Sequence, residues 1–107
     1  GQVLVTGDST LSSGINGANG MFVNGGGRLE LAGAGTLTGL VTINSGELAL
    51  SADNAIQGSD VKIYDTLNIE NTIQNINSLN ISSQATGNII GTGTIIADNN
   101  ISHTRTI

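Results

Sequence analysis

The feature that most limits what this chain can fold into is a recurrence of about nineteen residues. Leu29, Leu48 and Leu67 stand 19 residues apart, and each opens an apolar-x-apolar triplet. A second column runs through Val41, Val61 and Leu79 at spacings of 20 and 18, and a third through Leu37, Ile56, Ile76 and Ile95 at 19, 20 and 19. Within the triplets Leu29-Glu30-Leu31, Val41-Thr42-Ile43, Leu48-Ala49-Leu50, Val61-Lys62-Ile63, Leu67-Asn68-Ile69 and Leu79-Asn80-Ile81 the middle residue is polar or small. Period two with one apolar face is the pattern of a half-buried strand. No segment sustains the i, i+3, i+4, i+7 spacing of a helix.

Equal spacing discriminates between architectures. Strands joined by hairpins have no reason to keep a constant repeat length. A coil does, because each strand must stack on its counterpart one rung below, about 4.8 Å away. The pattern therefore predicts an all-β fold: a parallel β-helix solenoid of four to five rungs of about nineteen residues, with three short strands per rung. The segment Asn44-Ser45-Gly46-Glu47 is then a corner, and residues 41–43 should pair with residues 61–63 rather than with residues 48–50. Three clear repeats occupy residues 28–84 as units 28–46, 47–65 and 66–84. Fainter rungs occupy 1–27, and a looser rung and tail occupy 85–107. With no convincing cap at either end, the whole of 1–107 reads as a segment of a longer solenoid.

The corners carry Gly26-Gly27, Ser45-Gly46 and Tyr64-Asp65, residue types that tolerate a positive φ. Abundant Asn fits side-chain ladders running up such a stack. An apolar beat of six residues from Leu31 to Leu79 would suit a left-handed hexapeptide helix. Its steps at Ala49 and Ala55 are weak, and the right-handed form is favoured.

The chain has no Cys and no Pro, and its mean hydropathy is +0.13. Packing and hydrogen bonds alone must hold it together. Low charge and periodic aliphatics argue against disorder. The formal charge of −5 is scattered, and Arg28, Lys62 and Arg105 are the only Lys or Arg residues. Three dispersed cations make no stripe for a nucleic-acid backbone or an anionic membrane surface. No apolar run reaches the roughly 18 residues of a spanning helix, and no signal peptide is visible.

Within this frame, residues 27–63 resemble the autotransporter-associated β-strand repeat of Gram-negative passenger domains. The matching elements are Thr38-Gly39, Thr42-Ile43, Gly46-Glu47-Leu48-Ala49-Leu50 and Ala55-Ile56-Gln57-Gly58. The Asn-Thr-Tyr-like element that usually precedes the Thr-Gly is missing. The resemblance implies a right-handed stalk at the bacterial cell surface or secreted from it, exported through the outer membrane by a C-terminal β-barrel beyond this stretch. It implies a structural role, spacing or presenting an adhesive or virulence region. The partners it implies are a host surface receptor or glycan and neighbouring rungs of the same passenger. The open rung ends add self-association as a further possibility.

Candidate chemistry is sparse. His103 is the only histidine and stands beside Arg105 in the tail, without the oriented partners of a catalytic triad. The "GDST" of residues 7–10 reads as a turn. A glycosidase needs two acids about 5–9 Å apart. Glu30, Asp53, Asp60 and Asp65 are available, but the stacked outward column Glu30, Ala49, Asn68 holds no second acid. Asp53-Asn54 and Asp98-Asn99-Asn100 could offer oxygens to calcium, yet no calcium-binding loop motif accompanies them. Asn16, Asn19 and Asn24, each followed by Gly, read as turns or an insertion loop. Asn80-Ile81-Ser82 and Asn100-Ile101-Ser102 match a glycosylation sequon, which carries little weight in a bacterial chain. The sequence thus assigns no catalytic, cofactor-binding or metal-binding residue, and an enzyme is not expected. The alternatives are a carbohydrate-active β-helix fragment of the tail-spike or polysaccharide-lyase type, and a self-assembling fibre segment.

Overall fold

The structure, a computed structural model, describes residues 2–82 and 87–102. It is a parallel β-solenoid of about five turns, with no helix among the described residues. The strands are β1 Gln2–Leu4, β2 Asp8–Leu11, β3 Met21–Asn24, β4 Arg28–Leu31, β5 Leu40–Ile43 and β6 Glu47–Leu50. They continue as β7 Asp60–Ile63, β8 Thr66–Asn68, β9 Thr72–Ile81, β10 Asn88–Ile90 and β11 Gly93–Ser102. Sheet A orders β1-β3-β5-β7-β9-β11 and sheet B orders β2-β4-β6-β8-β10, every pair parallel.

Residues that recur in sequence are neighbours in space. Val41 faces Val61 and Ile43 faces Ile63, so Asn44-Ser45-Gly46-Glu47 is a corner and not a hairpin loop. Leu29, Leu48 and Leu67 stack in one register. The two apolar residues of every predicted triplet are buried at 5% exposure or less, as are Leu37, Ile56 and Ile76. Each such side chain contributes roughly 1.5–3 kcal/mol on leaving water.

The third side of the rung departs from the expectation of a strand on every turn. In the early rungs it is reduced to isolated bridges, Gly17 with Leu37 and Thr36 with Gln57. Residues 32–39 and 51–59 are rich in Gly and Ala, with little β-branched surface to hold a pleat. Among the described residues, 72–76 and their partners 93–97 sustain pairing there, and each segment runs straight on into sheet A, as the ten-residue β9 and β11.

The last turn is longer. Leu79 pairs with Ile101 and Thr66 with Asn88, spacings of 22 residues. A register irregularity between Ala97 and Asn100 takes up part of the difference. As a result Ile95 stacks on Gln74, and Ala97 rather than Ile95 continues the column of Ile76.

One corner recurs on every rung. The residues just before β2, β4, β6, β8 and β10 are Gly7, Gly27, Gly46, Asp65 and Gly87, and the strands they precede are in register. Backbone bonds climb this corner, with Arg28 N–H donating to Gly7 O, Glu47 N–H to Gly27 O, Thr66 N–H to Gly46 O and Asn88 N–H to Asp65 O. Asp65 does not occupy it through a positive φ, which among the described non-glycine residues belongs to Asn54, Glu70 and Asn71. Its carboxylate accepts the Gly46 N–H at 2.6 Å instead.

Candidate functional site

Alternation along β4 turns Leu29 and Leu31 inward and Arg28 and Glu30 outward. Stacking then sets Arg28 beside Glu47, and Glu30 beside Ala49 and Asn68. The Arg28 guanidinium reaches three carboxylates. It donates from Nη1 to Glu30 at 3.0 Å, from Nε to Glu47 at 3.0 Å and from Nη2 to Glu70 at 2.6 Å. Glu70 enters from just past the end of β8 at a positive φ of 41°, its N–H bonded to Asn68 Oδ1. Asn68 Nδ2 in turn donates to Glu47, and Ser51 Oγ donates to Glu30 at 2.7 Å. The arginine thus ties the β4 rung to the two that follow.

The charges answer to this network. Hydrogen bonding to Glu30 above all, then Glu47 and Glu70, raises the Arg28 pKa, so it stays cationic at any working pH. The Ser51 hydroxyl and then Arg28 hold the Glu30 carboxyl below its ordinary value. On sheet A, Ser78 and then Asn77 do the same for Asp60, donating at 2.6 and 2.7 Å. Both shifts favour the folded state only while the carboxylates are ionised. The folded chain binds fewer protons than the unfolded one, so stability is fully present above the unfolded carboxylate range of about 4 and declines as pH falls through the depressed folded values. The melting temperature should hold steady from neutrality to about pH 5 and drop below about pH 4. Glu30→Gln and Asp60→Asn, measured by thermal melts across that range, should each flatten the drop.

Beside the network, the recurring glycine corner leaves a groove of about 520 Å³ lined by Thr6, Asp8, Arg28, Glu47 and Asp65 over the exposed backbone of the glycines. It is open, polar and shallow. Asp65 is held by Gly46 N–H and Thr66 Oγ1, and Glu47 by Arg28 and Asn68.

The four acids weighed from sequence each have their own hydrogen-bond partners. Glu30 sits in the arginine network, Asp53 accepts the Ile73 N–H at 2.9 Å, Asp60 is bound to Asn77 and Ser78, and Asp65 caps the corner. Asn54 Oδ1 is occupied by the Asn75 backbone and side chain, and Asn99 donates to Asn77. Among the described residues no three Asp, Glu or His side chains are arranged to hold a metal ion. The Gly-Asp-Ser-Thr of residues 7–10 is not a turn: Gly7 is the corner, and Asp8, Ser9 and Thr10 belong to β2, paired with β4. His103 and Arg105 lie outside the described residues.

Sequence reasoning missed the role of Arg28. The spacing was available, since Arg28 and Glu47 stand 19 residues apart. Glu70 could not be found that way, because it reaches Arg28 diagonally across two rungs. Replacing Arg28 by Met should leave three carboxylates facing one another. Partly exposed ion pairs are individually weak, so a loss of about 1 kcal/mol is expected, or a fall of about 4–8 °C in Tm that shrinks in molar salt.

No family model, no curated protein and no solved structure matches the chain.

Proposed function

We propose that the chain is a structural stalk segment of a bacterial surface-exposed autotransporter passenger, which spaces or presents an adhesive or virulence region. The observation that carries this reading is the use made of the outward polar side chains. They bond from rung to rung: Arg28 to Glu47 and Glu70, Asn44 to Asn24, Asn75 to Asn54, Ser78 to Asp60 and Asn99 to Asn77. Such bonds stiffen a column along its axis, which is what a stalk requires. The likeness of residues 27–63 to the passenger repeat supports the same reading. Any contact with a host receptor or glycan then belongs to the region the stalk presents.

The test is surface labelling. An antibody to this segment should bind intact cells of the source bacterium, and external protease should remove the epitope. An epitope reached only after lysis sinks the proposal. The carbohydrate-active alternative draws on the groove, whose Asp8 makes no side-chain hydrogen bond among the described residues. Release of product from a glycan panel, abolished by Asp8→Asn, would favour it over a stalk.

A further inference from the structure

The ladder has a direction. In sheet B the backbone groups of inward-facing residues bond the following rung, and those of outward-facing residues bond the preceding one. Leu31 O accepts from Ser51 N–H, and Ile69 N–H donates to Ile90 O, each reaching forward from an inward residue. The outward residues Arg28, Glu47, Thr66 and Asn88 each donate backward. At the first rung, Asp8 and Thr10 therefore point their N–H and C=O at an edge with no partner strand among the described residues. At the last rung, Ile89 does the same at the opposite edge. These two sets of free groups are the two halves of every interior contact.

The apolar core is open at the same places. The partly buried hydrophobic residues against the core are Val3 and Ile15 in the first rung and Ile89, Ile95 and Ala97 in the last. Leu11, in the column of the fully buried Leu31 and Leu50, is 42% exposed. Neither edge carries a proline or a basic residue that would block pairing. The chain has no Pro, and β1, β2, β10 and β11 contain no Lys or Arg.

We infer that the 107-residue chain binds a second copy of itself end to end, β2 of one copy seating on β10 of the next in parallel register. Ser9 then lies over Ile89, as Leu29 lies over Ser9 and Leu48 over Leu29 within one molecule. The contact joins unlike surfaces, so it does not close on itself and adds copies into a filament. With extents of 32 × 26 × 26 Å, an end is about as wide as the molecule is long. The area buried is on the order of 1,000 Å², at the low end for a specific interface, so assembly depends on concentration in the micromolar range or above. This goes beyond the stalk reading, which stands whether or not the ends associate.

Sedimentation velocity of the 107-residue chain from about 1 μM to about 1 mM tests it. The average mass should rise continuously past that of a dimer. Thr10→Pro removes a donor that faces only the first edge, and Ala97→Pro does so at the last, both positions that an edge strand tolerates. Each variant alone should stay monomeric, while an equimolar mixture should form a heterodimer and stop, since each partner keeps one competent end. A strict monomer at the highest concentration overturns the inference and assigns the edges to neighbouring rungs of a longer chain. A discrete dimer that does not grow overturns it too, as do variants that assemble like the parent. Circular dichroism establishes that each variant is folded, and the parent's mass distribution decides the matter alone if one is not.

Discussion

Gly46→Ala should cost about 3–5 kcal/mol, a large share of the 5–15 kcal/mol that holds a typical domain folded. Two effects combine. Gly46 has a φ of +99°, a region where a side chain is strained. A Cβ there would also lie 2.4 Å from Gly27 O and 3.0 Å from Gly26 C, backbone atoms of the rung below. Those atoms cannot withdraw, because Gly27 O accepts the Glu47 N–H and belongs to the corner ladder. Two other glycines separate the terms. At Gly58 φ is +84°, but the nearest atom is the Thr38 methyl at 3.4 Å, so Gly58→Ala carries strain with almost no clash and should cost about 1–2 kcal/mol. Gly7 has neither a positive φ nor an atom within 4 Å, and Gly7→Ala should change stability by less than about 0.5 kcal/mol. Urea denaturation of the three variants gives the comparison. Equal losses at 46 and 58 would mean that the close stacking of the corners is not a constraint.

Gln74→Leu should cost about 2–4 kcal/mol although it puts an apolar side chain of similar size into the core. Gln74 is 1% exposed. Its Oε1 accepts the Ala55 N–H at 3.0 Å, and its Nε2 donates to Ala52 O and Thr72 Oγ1, both at 2.8 Å. The bridge reaches from β9 to residues 52 and 55 of the preceding rung, a stretch without a regular strand, so the side-chain amide does there what a backbone ladder does in sheets A and B. Leucine would leave a buried N–H and a C=O without partners. Hydrogen exchange gives a local readout: the Ala55 amide should exchange only on global opening in the parent and far faster in Gln74→Leu. An unchanged Ala55 rate would show that this bridge does not hold the turn.

The same residue shows where reading the sequence stopped short. The six-residue apolar beat included Ile73, yet Ile73 is 47% exposed and Gln74 is inside. Alternation along β9 is phased by Ile76, and counting back by two gives Gln74 and Thr72 as inward. Hydropathy at Ile73 loses to the phase of a strand already committed to sheet A. The arginine network was half legible for a related reason. Partners one rung apart share a spacing that the sequence displays, whereas Glu70 meets Arg28 only because a long side chain crosses two rungs.

What the sequence determined by itself was the solenoid and the register of its central rungs. Burial on one face fixes the alternation, and stacking identical faces at a constant pitch requires equal repeat lengths. Both constraints are one-dimensional and can be counted from Leu29 to Leu48 to Leu67 and from Val41 to Val61. What only the tertiary structure decided was everything that depends on direction across the stack. That includes which side of the early rungs forgoes regular strands, which buried amide replaces them, and which three carboxylates share Arg28. Those outcomes are set by where side chains and carbonyls point once the rungs are superposed, and a spacing along the chain does not contain that information.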